Sequence, residues 1–241
     1  MGPRYIKGDG RFYSLNVMDL FSHAVYLEPH RTKADESMAA GLFRCWKAMG
    51  IPDFIQFDNE LSFRGSNRYP RSFGIVIRLC LHYGATPVFI PVGEPWRNGD
   101  VERFNDTYDK TFFRRQWFPS YEALEQQSKN FQRFHNRHHR YSCLKGKAPM
   151  EVLAVSDYRP VKVPPNARMP RIDGIPEGNI ILIRFIRSDR KLDIFGEKFI
   201  VSKELVYSYV KAVIITGDHV LKVYLGEEFA EAFDYRIPSE T

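Results

Sequence analysis

Two carboxylates stand out as residues whose type and spacing can do chemistry. Asp58 ends the short apolar run Phe54-Ile55-Gln56-Phe57, and Glu102 follows the turn Pro95-Trp96-Arg97-Asn98-Gly99. From Asp100 to Phe113 there is no proline or glycine, and apolar and charged residues alternate at helical spacing, which places Glu102 in the first turn of a helix. There it faces the positive end of the helix dipole on a rigid element. A lone glutamate at a helix start is ordinarily nothing more than that. Joined by an acid at a strand end, it becomes a candidate ligand for a hard divalent cation, because Mg²⁺ keeps several waters and takes only a few carboxylates from a protein. Phosphoryl transfer on nucleic acid uses two such cations roughly 3.5–4 Å apart.

The elements that must deliver these acids follow from periodicity. Residues 11–21 and 24–27 outline an antiparallel strand pair around Ser22-His23. Residues 34–49 switch to helical spacing, with Met38, Leu42, Phe43, Trp46 and Met49 on one face, Thr32 as N-cap, and Gly50 and Pro52 as the stop. Residues 54–57 read as a short buried, central strand, 62–71 as a polar loop, 72–83 as a helix closed by Gly84, and 86–90 as another strand. After the helix of Glu102 come a long helix over 121–138 and a proline-started helical turn at 148–153. This alternation predicts an α/β class, a mixed sheet with helices on its faces. Residues 157–176 carry five prolines and read as an extended linker. Beyond it, 179–186, 191–194, 198–201, 209–216 and 219–225 read as five short strands of a small barrel, followed by an acidic tail at Glu227, Glu228, Glu231 and Asp234. The expected division is thus 1–156, 157–176 and 177–241.

With 44% hydrophobic and 15% aromatic residues in 241, the chain is neither disordered nor fibrous. Its formal charge is +6, which points to a polyanionic partner. The excess is local: residues 110–147 hold nine bases against two acids, enough to account for all of it. Cys45, Cys80 and Cys143 are odd in number and widely spaced, so neither a disulfide framework nor a zinc site is indicated. There is no apolar window near the roughly 18 residues of a membrane span and no signal-peptide core, and a reducing, cytoplasmic location without membrane attachment is the expectation.

Asp58-Asn59 after a strand, followed by Pro95-x-x-Asn98-Gly99-x-x-Glu102-Arg103-x-Asn105, resembles the catalytic core of the retroviral-integrase-like, DDE-type transposases of bacterial insertion sequences. Gly2-Pro3, Met18-Asp19-Leu20-Phe21-Ser22, Phe134-His135-Asn136-Arg137 and Leu144-Lys145-Gly146-x-Ala148-Pro149 agree with that pattern. Ile183-Arg184-Phe185 and Leu221-Lys222-Val223-Tyr224 resemble the small barrel that some of these transposases carry. The resemblance implies a ribonuclease H-like, five-stranded mixed sheet with flanking helices, followed by an SH3-like barrel. It implies a three-carboxylate site using Mg²⁺ or Mn²⁺, with Asp58 and Glu102 as two of the ligands. It also implies cleavage and strand transfer on transposon ends and target DNA by a multimer in the bacterial cytoplasm. The family's first aspartate normally precedes the Gly-Pro pair, so the first strand is expected to be truncated here. Asp9 reads as a turn former, while Asp19 and Glu60 match non-ligand positions of the pattern.

For DNA contact the sequence offers Trp96, Arg97, Asn98, Arg103 and Asn105 beside the acids. Lys110, Arg114 and Arg115 lie beyond them, Arg133, Arg137 and Arg140 on the next helix, and Arg184 and Arg187 on the barrel. Each has a plainer reading as a solvated charge or, for Trp96, a loop anchor. Asp106 and Asp109, one and two turns past Glu102, stand where many relatives have bases. Two other functions fit the same residues: a truncated, catalytically inactive DNA-binding regulator of transposition, and a ribonuclease acting on RNA–DNA hybrids.

Overall fold

The computed structural model describes residues 2–66, 68 and 71–238. Asn67, Tyr69 and Pro70 of the expected polar loop lie outside the described residues. The chain begins with β1 (Arg4–Ile6), β2 (Gly10–Met18), β3 (Val25–His30), α1 (Asp35–Met49), β4 (Phe54–Phe57), α2 (Leu61–Arg64), α3 (Ile75–His82) and β5 (Thr86–Phe89). A 3-10 turn, Pro95–Asn98, leads into α4 (Gly99–Thr107), which continues as a π turn at Tyr108–Phe112 and a 3-10 turn at Phe113–Arg115. Then come α5 (Tyr121–His138), α6 (Pro149–Val155), β6 (Asn179–Phe185), β7 (Lys191–Ile194), β8 (Glu197–Ile200), β9 (Tyr209–Ile215), β10 (Val220–Leu225) and β11 (Glu228–Asp234). The chain groups into two compact units, Met1–Gly50 with Asn98–Pro165, and Ile51–Arg97 with Asn166–Thr241. Residues 51–97 therefore group with the C-terminal strands.

In the first unit β1, β2 and β3 form an antiparallel sheet in that order. Phe12 and Leu15, three residues apart on β2, fall on opposite faces. Phe12 joins Ile6, Val25 and Leu27 in one apolar cluster with Phe104, Tyr108, Phe112, Phe118, Tyr121 and Leu124. On the other face, a Cβ at Gly41 of α1 would stand 2.8 Å from Leu15 Cδ2 and from His30 Nε2. The helix thus accepts the roughly 1 kcal/mol cost of an interior glycine to lie close on the sheet. β3 is an edge strand, which is where Pro29 is tolerated. That edge is capped by α5: Val25 N–H donates to Asn136 Oδ1 at 2.9 Å, Asn136 Nδ2 donates to Val25 O at 2.9 Å, and Leu27 N–H donates to Gln132 Oε1 at 2.9 Å. Side-chain amides on the helix thus satisfy an edge that no described strand covers.

Several expectations need correction here. α1 starts after Ala34 with no side-chain cap, and Thr32 Oγ1 accepts instead from the Ala34 amide, outside the helix. The helix of Glu102 is α-helical only to Thr107, and the wider π turn buries Tyr108, Asp109 and Phe112 together. β1 is three residues long, too short a run for periodicity to mark.

The second unit holds a six-stranded mixed sheet, β11-β10-β9-β6-β5-β4, parallel across β4, β5 and β6 and antiparallel elsewhere. β7 and β8 pair as a separate hairpin. The expected acidic tail is strand β11, whose Phe229 and Phe233 alternate among its acids. The expected stand-alone barrel is amended as well: its first strand, β6, also pairs with β5, through Val88 with Ile181 and Phe89 with Leu182. β4 is the sheet's edge and half exposed, not a buried central strand, with only Ile55 and Phe57 turned inward. α3 begins at Ile75 because the backbones of Gly65 and Gly74 meet at the loop's base, where a Cβ on Gly65 would lie 2.5 Å from Gly74 N. No described helix is long and apolar enough to cross a membrane.

β3 also carries a charged cluster. Glu28 accepts from Arg44 Nε at 3.0 Å and from Tyr26 Oη, and His30 Nε2 lies 3.0 Å away. Burial, the largest influence, pushes the Glu28 carboxyl up, but His30, Arg44 and Tyr26 together overcome it and hold the group at about 2, against an ordinary 4.5. A group depressed on folding contributes stability above its unfolded pKa and loses it as pH falls toward its folded one. The unfolding midpoint of the Glu28→Gln variant is therefore expected to fall less steeply than the parent's between pH 4.5 and about 2, as followed by thermal denaturation at successive pH values. Parallel curves would remove Glu28 as the cause.

Candidate active site

Asp58 is the first residue past β4, and its side chain is exposed. Its Oδ1 accepts the Glu60 amide at 3.1 Å, a turn bond that sets the direction of the carboxylate. Glu60 is the residue before α2, and its carbonyl accepts from Phe63 N–H at 3.0 Å and Arg64 N–H at 3.2 Å. Asn59 is fixed: Nδ2 donates to Ile90 O at 2.6 Å and the carbonyl accepts from Arg64 Nε at 2.9 Å. Two residues before Asp58, Gln56 Nε2 donates to Arg97 O at 3.1 Å. Within the second unit, the strand bearing Asp58 thus holds Arg97. That residue is held a second time by Glu94, which accepts from Arg97 Nε at 2.6 Å and Tyr209 Oη at 2.7 Å, while the Arg97 guanidinium lies 4.4 Å from the Tyr209 ring centre. Arg97 pulls the Glu94 carboxyl below its ordinary range, with Tyr209 assisting. Neither Gln56 nor Tyr209 has a sequence signature for this role, because their partners lie 41 and 115 residues away.

Glu102 is exposed in the first turn of α4, as its spacing predicts. Phe104, buried against Phe131 and His135 of α5, fixes the opposite face. The acids of this stretch behave differently from one another. Asp100 pairs with Arg103 at 2.8 Å, and Asp106 with Lys110 at 2.7 Å. Asp109 is buried between Arg4, at 2.7 Å, and Arg114. Among the described residues Glu102 has no cationic partner, and Asp58 accepts only a backbone amide. Asp9 and Asp19 are occupied in turns: Asp9 by Arg31 at 2.7 Å and the Tyr121 amide, Asp19 by Ser22 Oγ at 2.5 Å.

The candidate DNA-contacting residues divide by what already holds them. Trp96 is exposed in the 3-10 turn, with Asn98 at its end preceding α4. Asn105 Oδ1 accepts from Asn16 Nδ2 at 2.6 Å, tying α4 to β2. Arg115 donates to Lys110 O, and Arg140 to Gly146 O at 2.8 Å and to Glu151. Arg133, Arg137 and Arg187 are exposed and have no ion pair among the described residues. Arg184 is a correction. It is 5% exposed with its guanidinium spent inside the fold, so it offers no phosphate contact; alternation along β6 turns it inward.

Asp58 and Glu102 fall in different compact units. No three described His, Cys, Asp or Glu side chains gather as a metal-holding set. Single exposed carboxylates without cationic partners suit Mg²⁺ or Mn²⁺ that keeps waters and takes phosphate oxygens, and they do not suit a closed protein cage.

Residues 83–149 match the family model of the integrase core domain. The matched stretch holds Asn98, Gly99, Glu102 and the cations of α5, and it begins after Asp58. No curated protein matches the chain. Among solved structures, a chain in the cryo-EM structure of the simian T-cell lymphotropic virus intasome in complex with PP2A regulatory subunit B56 gamma is similar, with 14% identity and a TM-score of 0.50 over 96% of this chain and 76% of that one. At that identity the likeness is one of fold. The mixed sheet and flanking helices fit an integrase-like, ribonuclease H-like fold.

The contrast between paired acids is measurable. Asp109→Asn removes the half of a part-buried ion pair that Arg4 and Arg114 share and is expected to lower the unfolding free energy by about 2–3 kcal/mol. Asp106→Asn, at an exposed pair, is expected to cost less than about 1 kcal/mol. Urea denaturation of both variants checks this, and equal effects would show that Asp109 is not the structural acid.

Proposed function

We propose that this chain is the catalytic section of a retroviral-integrase-like DDE transposase that cuts DNA strands and joins them to a target. The observation that carries the reading is Glu102: inside the segment matching the integrase core domain, it stands exposed on a rigid first helical turn while its acidic neighbours are neutralised. Asp58, likewise without a cation, is its partner ligand in this reading. A bound divalent cation supplies a polarised phosphate and an activated attacking oxygen. The chain's own residues do the rest. Asp58 and Glu102 would each offer the cation a carboxylate from its own unit, and the Gln56 and Glu94 contacts hold Arg97 at the end of the second unit's segment. Arg133 and Arg137 bind backbone phosphate, and Trp96 offers a face on which an unpaired base stacks. Residues 177–241 serve as the SH3-like barrel of such an enzyme, with Arg187 among its exposed cations.

The test is nicking of a labelled duplex carrying candidate transposon ends, with Mg²⁺ or Mn²⁺. Activity that vanishes with chelator, and that drops at least about a hundredfold in Glu102→Gln, supports the reading. Binding without cleavage under every metal condition sinks the catalytic claim and favours a DNA-occupying regulator.

DNA affinity provides a second check. Each phosphate contact contributes about 0.9 to the slope of log K against log salt concentration, so Arg133→Ala with Arg137→Ala is expected to flatten the slope by about 1.8. An unchanged slope removes α5 from the interface.

A further inference from the structure

Arg184 is the most deeply buried cation tied to a candidate carboxylate turn. Its Nη2 donates to Asn59 Oδ1 at 2.8 Å, Nη1 to Ile90 O at 3.0 Å and Ile183 O at 2.9 Å, and Nε to Asp193 O at 3.0 Å. All four acceptors are uncharged oxygens. Burial pushes the guanidinium down to about 10, with the nearby Asp193 carboxylate opposing that shift. Filling the site with an apolar side chain would avoid the cost of burying a charge. What the charge provides is a fork that reaches several backbone positions at once.

Those positions surround one short turn. Asn59 receives Arg184 on its side-chain oxygen and Arg64 on its carbonyl, and its own Nδ2 meets the same Ile90 carbonyl that Arg184 holds. Asp58 is the adjoining residue, and its carboxylate is aimed by the bond to Glu60 N–H within this turn. We infer that Arg184 is a positioning residue for Asp58: from the C-terminal section it clamps Asn59 against the end of β5, so that the carboxylate leaves β4 in one direction. This rests on the proposed role of Asp58 as a metal ligand. It makes the C-terminal section part of the apparatus that aims the acid, in addition to any DNA contact it makes.

The test uses the full chain, with amide hydrogen exchange and Mn²⁺-induced broadening of amide resonances read by NMR. Arg184→Met is expected to raise exchange at Glu60, Phe63 and Arg64 at least tenfold, leave the β2 and β3 amides unchanged, and raise severalfold the Mn²⁺ concentration that half-broadens Glu60. Arg184→Lys keeps the charge without the fork and is expected to fall between Met and the parent. Should Arg184→Met fail to fold, Asn59→Ser releases the same turn from its other partner and is expected to give the same local signature. Unchanged exchange around residues 58–64 overturns the inference, as does faster exchange with an unaltered Mn²⁺ response. If the unsubstituted chain shows no Mn²⁺ effect near Asp58, the metal-ligand reading fails instead, and the exchange comparison by itself decides whether Arg184 fixes the turn.

Discussion

A guanidinium taken out of water must find an acceptor for its N–H groups, and that requirement organises the second unit. At Arg184 the acceptors are the carbonyls of Ile90, Ile183 and Asp193 and the side chain of Asn59. They lie on the chain after β5, on β6 itself, on β7 and on the turn after β4, so one side chain ties the β6 and β7 strands to two segments 94 and 125 residues away. The parallel pairing of β6 with β5 serves the same end by giving β5 a neighbour and keeping the end of that strand beside Arg184. If Arg184 shifts, the Ile90 carbonyl keeps only its bond from Asn59 Nδ2, and the Asn59 side-chain oxygen loses its donor.

The first unit depends on aromatic packing. Phe104, Tyr108, Phe112 and Phe118 bury their rings with Phe12, Val25 and Leu27, each worth roughly 1.5–3 kcal/mol as burial. This packing fixes which face of α4 is inward and therefore leaves Glu102 outward. The π turn is its by-product: widening the helix after Thr107 seats Tyr108 and Phe112 and draws Asp109 in to meet Arg4 and Arg114. With the i,i+3 pair Asp100–Arg103 and the i,i+4 pair Asp106–Lys110, three of the four acids between 100 and 109 are paired, and the one unpaired among the described residues, Glu102, lies at the helix start.

Much of this was legible from sequence. The helices around Trp46 and over 121–138, the strand ending at Asp58 and the helix start before Glu102 follow from periodicity and stop signals, which are local properties of the chain. The roles of cations were not legible. Arg184 and Arg187 stand three residues apart, yet one is buried and the other exposed, because Arg184 sits on an inward-facing position of β6 while Arg187 lies past the end of that strand. Asn105 looked like a DNA contact and is half spent on Asn16. β4 looked central and is an edge, since a short apolar run reads the same in either place.

By itself the sequence determined the α/β class, the order of most elements, the concentration of positive charge in residues 110–147 and the two carboxylates worth testing. Only the tertiary structure decided which charges are already neutralised, that residues 51–97 group with the C-terminal strands, and that Asn59 is clamped by a residue 125 positions away. The physical reason is range. Periodicity, capping and turn chemistry act over a few residues, whereas desolvation and hydrogen-bond satisfaction are settled by whichever groups the folded chain brings within about 3 Å.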